Sequence, residues 1–130
     1  MNDKRSHHAC MYDAITSSIH VMGGLGRDLG FGNNMDLATT EKWIVGSDTW
    51  LVSSNLPESI GRTSAVSAKS NNYVGYIAGG RGFATRELYS NKIWGLRRID
   101  KTWITMNKTL EIGRSDHSLL NISPTQIFEC

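Results

Sequence analysis

Ile77-Ala78-Gly79-Gly80 is an apolar run closed by a glycine pair, and an earlier copy stands at Ile19-His20-Val21-Met22-Gly23-Gly24. Around each copy the same landmarks recur in the same order. An arginine precedes an alternating stretch; the glycine pair follows, then one tryptophan, a second tryptophan and the next arginine. Arg5, Arg62 and Arg114 are 57 and 52 residues apart, and the glycine pairs are 56 apart. The first tryptophans, Trp43 and Trp94, are separated by 51 residues, and the second, Trp50 and Trp103, by 53. A fixed period near 50 residues is the mark of a repeat architecture, in which each repeat is one supersecondary unit that must stack on its neighbours.

Within a unit, short alternating stretches bounded by turn-forming residues predict strands. In the first unit these are residues 7–13, 19–22, 41–45 and 49–53, with a long exposed loop predicted over the glycine- and asparagine-rich residues 26–34. The second unit offers residues 62–68, 73–78, 90–96 and 102–106, with a shorter loop at 82–87. A third begins at Gly113-Arg114 with strands over 115–121 and 126–130, and the chain stops where another glycine pair is due. Four short strands in about 50 residues leave no room for a substantial helix, so the fold class is all-β.

Composition narrows the function classes. The chain has 130 residues, 39% hydrophobic and 20% charged, with 14 basic against 12 acidic side chains and a net charge of +2. That balance gives no electrostatic footprint for nucleic acid or an anionic membrane. No run approaches the roughly 18 apolar residues of a membrane helix. The arginines at Arg97-Arg98 and around Arg81 and Arg86 read as solvated faces. Cys10 and Cys130 are too few and too far apart for a disulfide framework, and with no signal-peptide core a reduced, cytoplasmic setting is expected.

These residues resemble the kelch repeat, the four-stranded blade of kelch-type β-propellers. The resemblance rests on Arg5, Gly23-Gly24, Trp43, Trp50 and Leu56-Pro57 in one copy, and on Arg62, Gly79-Gly80, Trp94 and Trp103 in the next. It covers nearly the whole chain. The second copy departs from the pattern in having Thr109-Leu110-Glu111-Ile112 where the family has a proline, and tryptophan replaces the usual tyrosine or phenylalanine of the third strand. The resemblance implies a single incomplete propeller: blades at residues 5–60 and 61–112 and a partial third at 113–130. A propeller closes with about 4–8 blades. The chain is therefore expected to be a segment of a longer protein, a partial gene product, or a piece that self-associates through exposed blade faces. The glycine pairs and all four tryptophans are expected to be structural, the tryptophans packing between blades.

For function, the resemblance implies a non-catalytic protein-interaction module, as in ubiquitin-ligase substrate adaptors that pair the propeller with a BTB domain, or in actin-binding kelch proteins. The alternative is a fragment of a kelch-type sugar oxidase or epimerase, or a piece with no autonomous function. In partner-binding members the loop after the glycine pair and the loop leading into the first strand face the partner. The matching residues here are Arg62, Arg81 and Arg114, with Arg27 a looser match. Guanidinium groups sharing one face clamp carboxylates, which suits an acidic peptide; the competing role for Arg62 and Arg114 is hydrogen bonding to nearby loop carbonyls. No cofactor or metal is expected. His8 and His117 each lie three residues after an arginine, so they read as one repeat position rather than as ligands. Asp116-His117-Ser118 holds triad residue types, but neighbours on a strand point to opposite faces.

Overall fold

The computed structural model describes residues 1–27, 34–82, 89–123 and 126–129. Among these there are strands and no helix. The first unit contains β1 (Arg5–Ser6), β2 (Ala9–Asp13), β3 (Ser18–Met22), β4 (Leu25–Arg27), β5 (Asn34–Asp36), β6 (Thr40–Ile44) and β7 (Trp50–Ser53). The second contains β8 (Ser64–Ser67), β9 (Tyr73–Ala78), β10 (Ile93–Arg97) and β11 (Trp103–Thr105). A hairpin, β12 (Leu119–Ser123) and β13 (Gln126–Glu129), follows.

Short connections between successive strands favour antiparallel neighbours, and each unit obeys. One sheet runs β2-β3-β6-β7 and the other β8-β9-β10-β11, both antiparallel throughout, and neither closes on itself. The first strands of the three units adjoin: β8 touches both β2 and β12. The expected loop over residues 26–34 is not all loop. Its flanks form β4 and β5, which with β1 make a small third sheet. The cause lies in the glycine pair, whose turn brings Leu25 and Gly26 alongside Ser6 and Arg5. Residues 28–33, and 83–88 of the second predicted loop, lie outside the described residues.

Alternation decides what is buried. Along β2, Ala9, Met11 and Asp13 point inward while Cys10 and Tyr12 point out, and the inward row packs on the second sheet. The core comprises Ala9, Met11, Met22, Leu56, Ile60, Val74, Ile77, Trp94, Leu96 and Trp103. Met11 seats its sulfur over Gly75, where a Cβ would collide with it. A register shift lies beside that contact: Leu96 pairs with Gly75, but Arg97 pairs with Tyr73. Val74 is thus the extra residue of a β-bulge. It faces the core with Gly75, while Tyr73 and Tyr76 share the opposite side over Gly95.

The tryptophans divide. Trp94 and Trp103 are buried in the core, and Trp103 Nε1 donates to the Ser54 carbonyl at 3.1 Å. Trp43 and Trp50 are only half-buried, their ring centroids 6.4 Å apart on the outer face of the first sheet. The expected inter-blade packing fails for this pair because no sheet covers that face among the described residues. Pairing also corrects the repeat register. Trp50 opposes Trp43 and Trp103 opposes Leu96, so the second tryptophans match. The first do not: Trp94 opposes Ile77, as Glu41 opposes Val21, and the residue matching Trp43 is Leu96.

Candidate functional site

The glycine pairs tie consecutive units together. All four glycines have positive φ: +62° at Gly23, +96° at Gly24, +66° at Gly79 and +105° at Gly80. In each pair the first N–H donates within its own unit, Gly23 to Thr39 O at 3.1 Å and Gly79 to Lys92 O at 3.0 Å. The second donates to the segment at the junction with the next unit, Gly24 to Ile60 O at 2.9 Å and Gly80 to Arg114 O at 2.7 Å. Beyond the pair, Arg81 and Gly61 exchange two backbone hydrogen bonds, as Leu25 faces Ser6 in the first unit.

A second backbone chain runs across the units. Arg62 N–H donates to His7 O at 2.8 Å, and Asp116 N–H donates to Arg62 O at 3.2 Å. All three residues take left-handed conformations, with φ of 51°, 56° and 54°. The residues matching Arg62 are therefore His7 and Asp116, whereas Arg5 and Arg114 match Ile60. The three arginines are not one repeat position. The equivalence of His8 and His117 survives, with Thr63 between them.

The structure nevertheless gathers three of the four sequence-predicted site residues. Around Gly79-Gly80 their backbones are near neighbours: Arg81 exchanges hydrogen bonds with Gly61, which precedes Arg62, and Arg114 O accepts from Gly80 N–H, which precedes Arg81. Arg62 Nη1 reaches the Asp116 carboxylate at 3.1 Å. The Ser115 hydroxyl, with Arg62, holds that carboxyl below the usual range despite slight desolvation. Arg114 Nε donates to Ile112 O at 3.3 Å, the carbonyl role weighed above. Arg81 is exposed, its guanidinium 5.6 Å from the centroid of the Tyr89 ring, within cation–π range. Arg27 lies on β4 opposite Asn34; its side chain is outside the described residues.

Two arginines carry more structure than the sequence indicated. The Arg5 side chain is fully buried: its guanidinium donates to Gly23 O at 3.0 Å and Thr39 O at 2.9 Å and pairs with Glu41 at 2.9 Å and Asp3 at 3.1 Å. It clamps the first glycine pair from below. Arg98, read as part of a solvated face, instead makes a two-pronged bond to Asp13 at 2.7 and 3.0 Å that joins the two sheets. Arg97 does stay at the surface, paired with Asp100. No sequence signal links Arg98 to a partner 85 residues away.

Asp13 anchors a polar cluster between the sheets. Burial pushes its carboxyl up, but Arg98, the Thr16 hydroxyl and the Ile15 N–H outweigh it and hold it at about 2. Thr16 bonds Ser18 Oγ at 2.7 Å, and Ser18 Oγ lies 3.1 Å from His20 Nε2. Ser18 and His20 are 1% and 3% exposed, too enclosed for a nucleophile and its base to meet substrate. Burial lowers His20 to about 4; Asp13 opposes the shift, and Lys42, Lys101 and Arg98 add to it. The sign follows from proton counts: between pH 6.5 and 4 the unfolded chain binds the His20 proton and the folded chain does not. Stability is thus expected to fall as pH drops through that window, by about 3 kcal/mol. Asp13 adds stability above its ordinary range near 3.8, lost as pH falls toward 2. Urea titrations at pH 7 and 4.5 check this. A His20→Gln chain should show a much shallower limb between 6.5 and 4, what remains coming from His8, which burial also lowers, and an unchanged slope would remove His20 as the cause.

Among the described residues no three His, Cys, Asp or Glu side chains group closely enough to hold a metal ion, and no helix is long and apolar enough to cross a membrane. No family model matches the chain, and no match is found among curated proteins.

Proposed function

We propose that the chain is a segment of a kelch-type β-propeller that acts as a non-catalytic protein-binding module, with its glycine-pair rim receiving an acidic peptide segment. The propeller reading draws on the two open four-stranded meanders, the adjoining first strands and the matching glycine-pair hydrogen bonds. The binding reading is carried by one observation, the backbone adjacency of Arg62, Arg81 and Arg114 around Gly79-Gly80. Of these Arg81 is the foremost contact, because it is exposed and Tyr89 supports its guanidinium from one face. Arg62 is engaged with Asp116 and contributes by exchanging one carboxylate for another.

Fluorescence anisotropy with a labelled glutamate-rich peptide at low salt tests this. Arg81→Glu should weaken binding about tenfold or more, in line with a charge-assisted contact of roughly 1.5–3 kcal/mol, and added salt should weaken the native complex. Equal binding by the native and Arg81→Glu chains, both with an unchanged far-UV spectrum, would refute the rim as the binding surface.

A further inference from the structure

We infer that Asp116 is a resident competitor at the rim: its carboxylate occupies Arg62 in the free chain and gives way to a carboxylate of the acidic partner. The inference rests on the binding reading above and adds to it how binding there is held in check.

The contact is an ion pair between units. Asp116 Oδ2 lies 3.1 Å from Arg62 Nη1 across 54 residues of chain, and the Ser115 hydroxyl donates to the same oxygen at 2.9 Å. The pair is open to water, the Arg62 side chain 32% and that of Asp116 54% exposed. A single-pronged, exposed pair of this kind is easily exchanged. The other long-range arginine pairs are built differently. Arg98 grips both carboxylate oxygens of Asp13, and Arg5 is enclosed with Glu41. Those two hold the fold.

The repeat does not require a side-chain pair at this place. Backbone bonds join the units here: Arg62 N–H to His7 O at 2.8 Å, and Asp116 N–H to Arg62 O at 3.2 Å. The first link connects two residues of the left-handed series whose side chains, an imidazole and a guanidinium, cannot form an ion pair. The His7 ring bonds Ser6 Oγ instead. The second link brings a carboxylate to Arg62 and stays in place when that carboxylate turns away, so rotation of one side chain releases the arginine. Such tethering also keeps the competitor at high local concentration. An incoming acidic side chain therefore meets a guanidinium already answered, beside a like charge that opposes its approach. Asp116 stands two residues beyond Arg114, whose carbonyl accepts from Gly80 N–H, so this brake lies on the rim itself.

Anisotropy with the same glutamate-rich peptide at low salt provides the test. Asp116→Asn removes the charge and keeps the shape, and asparagine tolerates the left-handed backbone found there. It should tighten binding about three- to fivefold. Asp48→Asn removes an equal charge from the exposed β6–β7 turn, at the other end of the sheets, and should leave affinity near that of the native chain. In an Arg62→Gln background, Asp116→Asn should gain no more than Asp48→Asn does. The Asp116 carboxyl carbon resonance should also shift in NMR spectra as peptide saturates the native chain. Equal tightening by Asp48→Asn and Asp116→Asn, an undiminished gain without Arg62, or an unmoved carboxyl resonance would each overturn the inference. All three leave the rim as a binding surface, which Arg81→Glu tests separately. No binding by either the native or the Asp116→Asn chain would overturn both.

Discussion

Gly24→Ala should cost about 3–4 kcal/mol of stability, whereas Gly46→Ala should cost about 1–2 kcal/mol. Both glycines have strongly positive φ, +96° and +90°, so alanine is strained at either. The difference lies in the surroundings. A Cβ on Gly46 would meet nothing within 4 Å, while one on Gly24 would lie 2.5 Å from Ser6 O and 3.0 Å from His8 Cα. Those are backbone atoms and do not turn aside as a side chain would. Nor does Gly24 rotate away, since its N–H is bound to Ile60 O at 2.9 Å and its carbonyl accepts from Leu37 N–H at 2.9 Å. Against a total of about 5–15 kcal/mol for a domain, the loss is severe. Equilibrium urea unfolding of the two variants measures it. Equal losses would show that backbone strain, not the close approach of the Ser6–His8 backbone, sets the requirement for glycine.

The second large effect is expected at the Asp13–Arg98 clasp. Asp13→Ala should destabilise by about 3–5 kcal/mol, because it strands a guanidinium in the inter-sheet space. The Arg98 side chain is 15% exposed and that of Asp13 3%, so water compensates little. Asp13 also accepts from Ile15 N–H at 3.1 Å and Thr16 Oγ at 2.7 Å, so its loss loosens the β2–β3 turn as well. Arg98→Met alone should cost similarly by leaving the carboxylate unpaired. The double variant should be distinctly more stable than the sum of the two losses predicts, since no buried charge remains. Additive losses in the cycle would place the contribution in each side chain's other contacts rather than in the pair.

Both effects bear on the proposed binding rim. The glycine pairs fix where Arg62, Arg81 and Arg114 stand, and the Arg98 clasp fixes how the first sheet lies on the second. A binding defect in a Gly24 or Asp13 variant would therefore follow a stability defect, while the Arg81→Glu effect should appear without one.

The strands of the two four-stranded sheets, their antiparallel order and the glycine turns could be read from the sequence alone, because they depend on near neighbours; β1, β4 and β5 could not. Alternation sets β2 and β9, and Gly23-Gly24 and Gly79-Gly80 end their strands for lack of a Cβ. The uneven arginine spacings of 57 and 52 residues were visible too, but not their meaning. Strand side chains repeat every two residues, so a two-residue slip leaves every face unchanged. Arg62 can then stand at the position of His7, and Trp43 at that of Leu96, without disturbing the pattern. Only hydrogen-bond partners fix such a register. Tertiary structure alone also decided that the Arg5 side chain is buried on Glu41, that Arg98 reaches across to Asp13, and that Trp43 and Trp50 stay half-buried with no sheet over them among the described residues. Those outcomes depend on which sheets meet, and burial of a charge or a ring belongs to the contact between sheets rather than to either stretch of sequence.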